Sequence, residues 1–241
     1  MNLDIKSIIV TRFAMRFSED SPRRKYEMKP GWVDYRMDLF HKYCLPSVKA
    51  QTYKEFDWWF LVHPQFPGFE NHHKEILEKY GKILWIEAPW KEDQGEVGES
   101  LSKIYNKMWV CSTKLDSDDI IRNNYIELTR SVISKQEAWV TFYLGFMMKN
   151  NHVVEYRFTE NPFVSHVEYA DPMRSIFRVS HIYSESDSKA RGIPFIRIDV
   201  PGWIQVDHGD NIKNLVTKKT DCFEERKKNA SFLHKDFTWN A

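Results

Sequence analysis

Three carboxylates fall within four residues at Asp116, Asp118 and Asp119, directly after an apolar run with β propensity, Trp109 to Leu115. A buried strand ending in acidic side chains is one way an α/β protein builds a metal site, because ligands of open α/β sheets bind outside the carboxyl ends of the strands. Asp116 and Asp118 are two apart and share a side of an extended backbone, whereas Asp119 faces elsewhere or caps the next helix. Two carboxylates on one side suit a hard divalent cation, Mn²⁺ or Mg²⁺, that also holds a diphosphate. A polar turn capping a helix from Ile120 to Ser134 accounts for the same spacing equally well. Lys114, just before the cluster, is an ion-pair partner or a phosphate ligand, and we favour the second.

Three other polar groupings have chemical potential. Thr11-Arg12-Phe13 ends an expected first strand, where Arg12 suits a bidentate phosphate contact and Phe13 or Thr11 a nucleobase. An exposed arginine opening a loop is the plainer reading. The run from Pro201 to Asn211 gathers Trp203, Asp207, His208, Gly209 and Asp210. His208 would complete a metal shell as a neutral imidazole, Trp203 would stack on a ring, and Gly209 would permit close backbone approach. A lone loop histidine is more often simply solvated. Glu160 and Glu168 offer carboxylates for a general base, although Glu usually faces solvent.

The elements that must position these residues follow from periodicity. Strands are expected at Ile5 to Phe13, Phe56 to Val62 and Ile83 to Ile86, with the acidic run closing a fourth. Helices are expected at Trp32 to Lys49, with Pro46 ending or kinking it, at Asn71 to Tyr80 ahead of Gly81, at Gly98 to Met108 and at Ile120 to Lys135. Such alternation predicts an α/β fold with a mostly parallel, doubly wound, Rossmann-like sheet flanked by helices. A hairpin of Ala138 to Met148 and Val153 to Phe158, turning at Lys149-Asn150-Asn151-His152, opens an antiparallel and irregular addition reaching about residue 214. Thr217 to Ala241 is charged and expected to lie on the outside.

Bulk properties narrow the function. With 35 basic and 34 acidic residues the net charge is +1, so no global field recruits nucleic acid or an anionic membrane. Nine tryptophans indicate a Trp-rich core or a stacking surface for sugars or bases. Cys44, Cys111 and Cys222 are odd in number and unpaired in spacing, which predicts reduced thiols rather than a disulfide framework or a zinc site. No leader pattern and no long apolar run is evident, so a cytoplasmic protein is expected.

Several runs occur in an order that resembles the putative rhamnosyltransferase family of bacterial glycosyltransferases. They are Thr11-Arg12-Phe13, Arg36 with Leu39-Phe40, Leu45 to Thr52, Lys114 to Asp119, Asn161-Pro162-Phe163 and Trp203 to Asn211. The resemblance spans about residues 8 to 214. It implies a GT-A-like fold in a single domain over 1–241: a nucleotide-binding half to about 120, an acceptor and metal-completing half over about 121–215, and a tail over about 216–241. It also implies a nucleoside-diphosphate sugar donor contacted by Thr11, Arg12, Phe13, Arg36, Lys114, Asp116 and Trp203. A Mn²⁺ or Mg²⁺ ion would be held by Asp118 with Asp116 nearby and joined by His208. The sequence departs from the pattern at Leu61-Val62-His63-Pro64, where an acidic residue is expected, and at Lys114, where arginine is usual.

The expected activity is metal-dependent transfer of a hexosyl or pentosyl group with inversion, the base being one of Asp207, Asp210, Glu160 and Glu168. The acceptor is expected to be a glycan. The alternative is a hydroxymethylated pyrimidine base in DNA, contacted by Arg23-Arg24-Lys25, Lys218-Lys219 and Arg226-Lys227-Lys228. Readings from other classes are a non-enzymatic carbohydrate-binding module and a metal-dependent phosphoesterase.

Overall fold

The computed structural model describes residues 4–19, 21, 29–89, 95–158, 161–174, 176–177, 184–208 and 228–240. Four strands form its parallel centre: β1 (Ile5–Ala14), β2 (Phe56–Val62), β3 (Lys82–Trp85) and β4 (Trp109–Asp116), in the order β4-β1-β2-β3. β1 is buried along nearly its whole length, as expected of a strand covered on both faces. On one face lie α1 (Trp32–Leu39), α2 (Leu45–Lys49), α3 (Asn71–Glu78) and α5 (Tyr125–Val132), which seat Val33, Met37, Leu45, Leu77 and Ile126 on the sheet. On the other lies α4 (Gly95–Ile104), with Val97 and Leu101 packed against Ile8 and Val10.

Beyond β4 the strand direction reverses. β8 (Ser165–Tyr169) pairs antiparallel with β4 and carries the sheet on to β6 (Ala138–Lys149), β7 (His152–Arg157) and the short β10 (Lys228–Asn229). The β6–β7 turn has Asn150 and Asn151 in left-handed conformation, the geometry that matches hairpin twist. The segment expected to be irregular contains β8, the helix α6 (Ser184–Arg191) and a long strand, β9 (Phe195–Val206), parallel to β6. The fold is therefore α/β with a central sheet parallel in its core and antiparallel in its added half.

Three local expectations are corrected. Ile120 and Ile121 do not begin a helix; they form β5, which pairs antiparallel with β9 through Ile204 and Trp203 and so draws β9 to the acidic turn. Pro46 does not end the helical segment over 32–49. The chain passes through a π-helical stretch, Phe40–Cys44, which opens the ladder where proline would collide with the carbonyl of Lys42. That carbonyl accepts the backbone N–H of Asn240 at 2.8 Å, and the Asn240 side-chain amide donates to the His41 carbonyl at 2.9 Å. The tail is likewise not an outer appendage in its described part. A 3₁₀-helix, Ala230–Lys235, and the residues after it bury Leu233, Phe237 and Trp239 against Ile120, Phe146 and Ile204. Cys44 and Cys111 are buried free thiols, and Cys222 lies outside the described residues.

Core packing fixes where β9 runs. Trp203 is fully buried, stacked on Phe163 at 5.1 Å, and lies across Gly145 of β6, where an added Cβ would sit 2.2 Å from its ring. Gly145→Ala is therefore expected to destabilise the fold by about 1–3 kcal/mol through overpacking. Urea unfolding measures this, and an unchanged midpoint would contradict the described packing.

Candidate functional site

The carboxyl ends of β1 and β4 carry the first pair of charges. Arg12 and Asp116 stand opposite one another in the parallel register, and the guanidinium grips the carboxylate through Nε at 3.0 Å and Nη2 at 2.7 Å. Burial pushes the Asp116 carboxyl up, but the charges of Arg12 and Lys114 outweigh it and hold it below the usual range. Alternation then decides the fate of Arg12's neighbours. β1 runs on through Ala14, so Thr11 and Phe13 point through the opposite face. The Thr11 hydroxyl accepts the Trp58 indole N–H at 2.9 Å, and Phe13 meets Phe40 edge-on at 5.8 Å. Both are core residues, which corrects the expectation that they contact a base. Trp203, closed off beneath Phe163, is likewise not a stacking surface.

Lys114 lies two residues before Asp116 on the same side of β4. It is only 6% exposed, its ammonium lies 5.5 Å from the centre of the Phe177 ring, and it forms no ion pair among the described residues. Burial, aided by the charge of Arg12, pushes its pKa down to about 7 against the pull of Asp116 and Asp119.

The second charge group is built by chain segments remote in sequence. Asp118 sits in the turn after β4, closed by the Asp119 N–H donating to the Asp116 carbonyl at 3.2 Å. From α1, Arg36 reaches Asp118 with both terminal nitrogens, Nη1 to Oδ2 at 2.8 Å and Nη2 to Oδ1 at 2.9 Å, and also donates to the Ser117 hydroxyl. From the end of β9, His208 brings Nε2 to 2.7 Å from Asp118 Oδ2, across 90 residues of sequence. The ring's other nitrogen, Nδ1, lies 2.9 Å from the Tyr35 hydroxyl, which also donates to the His208 carbonyl at 3.3 Å. That hydroxyl can donate to Nδ1, or accept from it while serving the carbonyl, so it orients the ring in either tautomer. Burial raises the Asp118 pKa, yet the Arg36 charge and the hydrogen bonds from His208 and Arg36 hold it well below the usual range.

Asp119 explains how His208 arrives. Its carboxyl does not cap a helix; Oδ1 accepts the Val206 N–H at 2.9 Å, two residues before His208. Burial, with Asp118 and Asp116 nearby, pushes its pKa well above the carboxylate range. The Leu45–Thr52 run contributes from below. The Gln51 amide donates to the Ser47 and Arg122 carbonyls at 3.1 and 2.7 Å, and its oxygen accepts the Ile126 N–H at 3.1 Å, fixing the chain just after the acidic turn. Asn161 is equally architectural, donating to Thr141 Oγ1 and to the Phe142 and Phe158 carbonyls.

Asp118 and His208 are thus brought together, while Asp116 is drawn aside by Arg12. Among the described residues, the grouping of three metal-type donor atoms within 4.8 Å is Asp34, His72 and His73, not Asp116, Asp118 and His208. That cluster reads as a clamp between α1 and α3. His73 Nδ1 accepts the Glu70 N–H at 3.1 Å, so Nε2 carries the proton that meets Asp34 at 2.8 Å.

The expected bases separate too. Glu168 pairs with Val110 in register, six residues before Asp116 and so roughly 20 Å along the strand from the site. It accepts the Arg174 N–H at 2.5 Å and faces the buried His166, which corrects its assignment as a base. Asp207 is next to His208, but its carboxylate is 3.3 Å from Lys149 at the end of β6. Glu160 and Asp210 lie outside the described residues, as do Arg23 to Lys25, Lys218-Lys219, Arg226 and Lys227. At the end of β2, where an acidic residue was expected, the His63 ring is buried and its Nδ1 accepts the Gln65 N–H at 3.0 Å. Tyr35 escaped sequence reasoning because its neighbour Arg36 and the distant His208 share no periodic signal with it.

No helix among the described residues is long and apolar enough to cross a membrane. Comparison with curated proteins gives no match. Among solved structures the chain is similar to S. aureus TarS 1-349 in complex with UDP, at 9% identity and TM-score 0.51 over 84% of this chain and 61% of that one. It is similar to the same fragment in complex with UDP-GlcNAc at 11% identity and TM-score 0.50, over 86% and 60%. The chain spans about 60% of the length of these structures, and at such identity the likeness establishes the fold alone. The family model described as "Putative rhamnosyl transferase" matches residues 7–219, which include Arg12, Arg36, Asp116, Asp118 and His208. With this match over most of its length, on a GT-A-like fold, the chain belongs to the putative rhamnosyl transferase family.

Proposed function

We propose that this chain transfers a sugar from a nucleoside-diphosphate donor to a hydroxyl acceptor, most simply a glycan, with the help of a divalent ion held by Asp118 and His208. The observation that carries the reading is the 2.7 Å approach of His208 Nε2 to Asp118 Oδ2. These are donors of the kind Mn²⁺ accepts, and the ring has the outer hydrogen bond, to Tyr35, that metal-bound histidines usually make. When bound, such an ion supplies a Lewis acid against the charge that develops on the leaving diphosphate.

The chain's own groups do the remaining work. Arg12 and Lys114 flank the carboxyl end of β4, where two cations can face phosphate oxygens. Asp116, in turn, holds the Arg12 guanidinium at the carboxyl end of the strands. The acceptor hydroxyl must lose a proton as the new bond forms on the opposite side of the sugar carbon from the diphosphate, which is the inverting course. Asp210, near His208 in sequence, is the candidate for that proton, with Asp207 available only if its carboxylate leaves Lys149. Glu168 is too remote.

A thermal-shift panel of UDP-, GDP-, dTDP- and CMP-sugars, each with and without Mn²⁺, tests the reading. One nucleotide class is expected to raise the melting temperature, and to do so far more with Mn²⁺ present. Stabilisation equal with and without metal would overturn the metal assignment, and none from any donor would overturn the nucleotide-sugar reading.

A further inference from the structure

Both oxygens of Asp118 already have partners. Arg36 donates to Oδ1 and lies 2.8 Å from Oδ2, and His208 approaches Oδ2 as well. Of roughly four lone-pair sites on a carboxylate, three are thereby taken. The arrangement is enclosed, with side-chain exposures of 12% for Arg36, 10% for Asp118 and 7% for His208. A cation seated between Asp118 and His208 would take the place of the imidazole hydrogen bond on Oδ2 and share that oxygen with the guanidinium. The guanidinium, 2.8 Å from the same oxygen, would then sit beside a second positive ion, in a place with little water to screen them. A diphosphate removes the conflict. It offers the planar guanidinium of Arg36 two oxygens to replace those it would share with the ion, and it neutralises the added charge. Trp32, one turn back on α1, lies under the guanidinium at 5.7 Å and gives it a face to slide along.

We infer that Arg36 couples the two ligands: it occupies Asp118 while the donor is absent, and transfers to the donor's diphosphate as metal is taken up. Metal alone is therefore held weakly, and metal with diphosphate tightly. This rests on the reading of Asp118 and His208 as the metal pair and extends it to the order in which the site fills.

The test is a Mn²⁺ titration of the full chain followed by EPR of the free ion, with and without inorganic pyrophosphate, after subtracting the solution binding of Mn²⁺ to pyrophosphate. In the wild type, pyrophosphate is expected to tighten Mn²⁺ binding by about tenfold or more, and Mn²⁺ to tighten pyrophosphate binding by the same factor. Arg36→Met should bind Mn²⁺ alone about tenfold more tightly than wild type and lose most of the enhancement. Arg36→Lys, which keeps a charge without the fork, should bind Mn²⁺ alone with intermediate affinity. Mn²⁺ affinities equal to wild type in both variants, or an undiminished enhancement in Arg36→Met, would overturn the inference. Asp118→Asn separates the two levels. If it abolishes Mn²⁺ binding while the Arg36 variants behave as wild type, only the coupling fails; if it binds Mn²⁺ normally, the metal assignment itself fails.

Discussion

Asp118→Asn is expected to reduce kcat/KM for sugar transfer by at least about 10³-fold, or ~4 kcal/mol of transition-state stabilisation. The amide keeps the shape of the carboxylate but loses the charge that Arg36 and His208 both approach. Asparagine is the better probe than alanine, because Asp118→Ala would strand a mostly buried guanidinium and cost about 3 kcal/mol of stability. Activity at wild-type level in excess EDTA would contradict the role assigned to Asp118. Asp116→Asn should lose less, since Asp116 acts through Arg12 rather than on the ion.

Lys114→Met is expected to stabilise the ligand-free protein while weakening diphosphate binding by about tenfold or more. The ammonium is buried over Phe177 without an ion-pair partner among the described residues, and its pKa falls from 10.5 to about 7. The unfolded chain keeps this proton up to about 10.5, whereas the folded chain releases it near 7. Between those values the unfolded state binds more protons, so wild-type stability should rise with pH, by about 2 kcal/mol between roughly pH 7 and 9. The methionine variant should lack that slope and be more stable near neutrality. Parallel pH profiles for the two proteins, from urea unfolding, would show that Lys114 is not held as described. A buried cation that costs stability is understandable where an anionic ligand later meets it.

Much of this was legible in the chain. The alternation of apolar strands with helices gave β1 to β4 and the helices between them, because buried parallel strands are continuous apolar runs that little else resembles. The acidic turn was legible for the same reason, as the polar stop on such a run. What periodicity does not carry is pairing between distant segments. Ile120-Ile121 looks helical beside the helix after it, and only β9 makes it a strand. Glu168 and Trp203 looked functional because their types suit chemistry, yet register buries one far from the site and packing seals the other in the core. Thr11 and Phe13 were misread by grouping them with Arg12, although alternation along the strand sends them to the opposite face. His208 was reached through its surroundings, whereas Tyr35 and the service of Asp119 to Val206 exist only once β9 has returned to the acidic turn.

A crystal grown with Mn²⁺ and UDP, with diffraction collected at the manganese absorption edge, shows whether Asp118 and His208 hold a metal ion against the diphosphate. One anomalous peak is expected in contact with both Asp118 and His208 Nε2, bridging to the diphosphate, with Arg36 moved from the carboxylate onto phosphate oxygens. Nucleotide bound with no such peak, while Arg36 still grips Asp118, would contradict it.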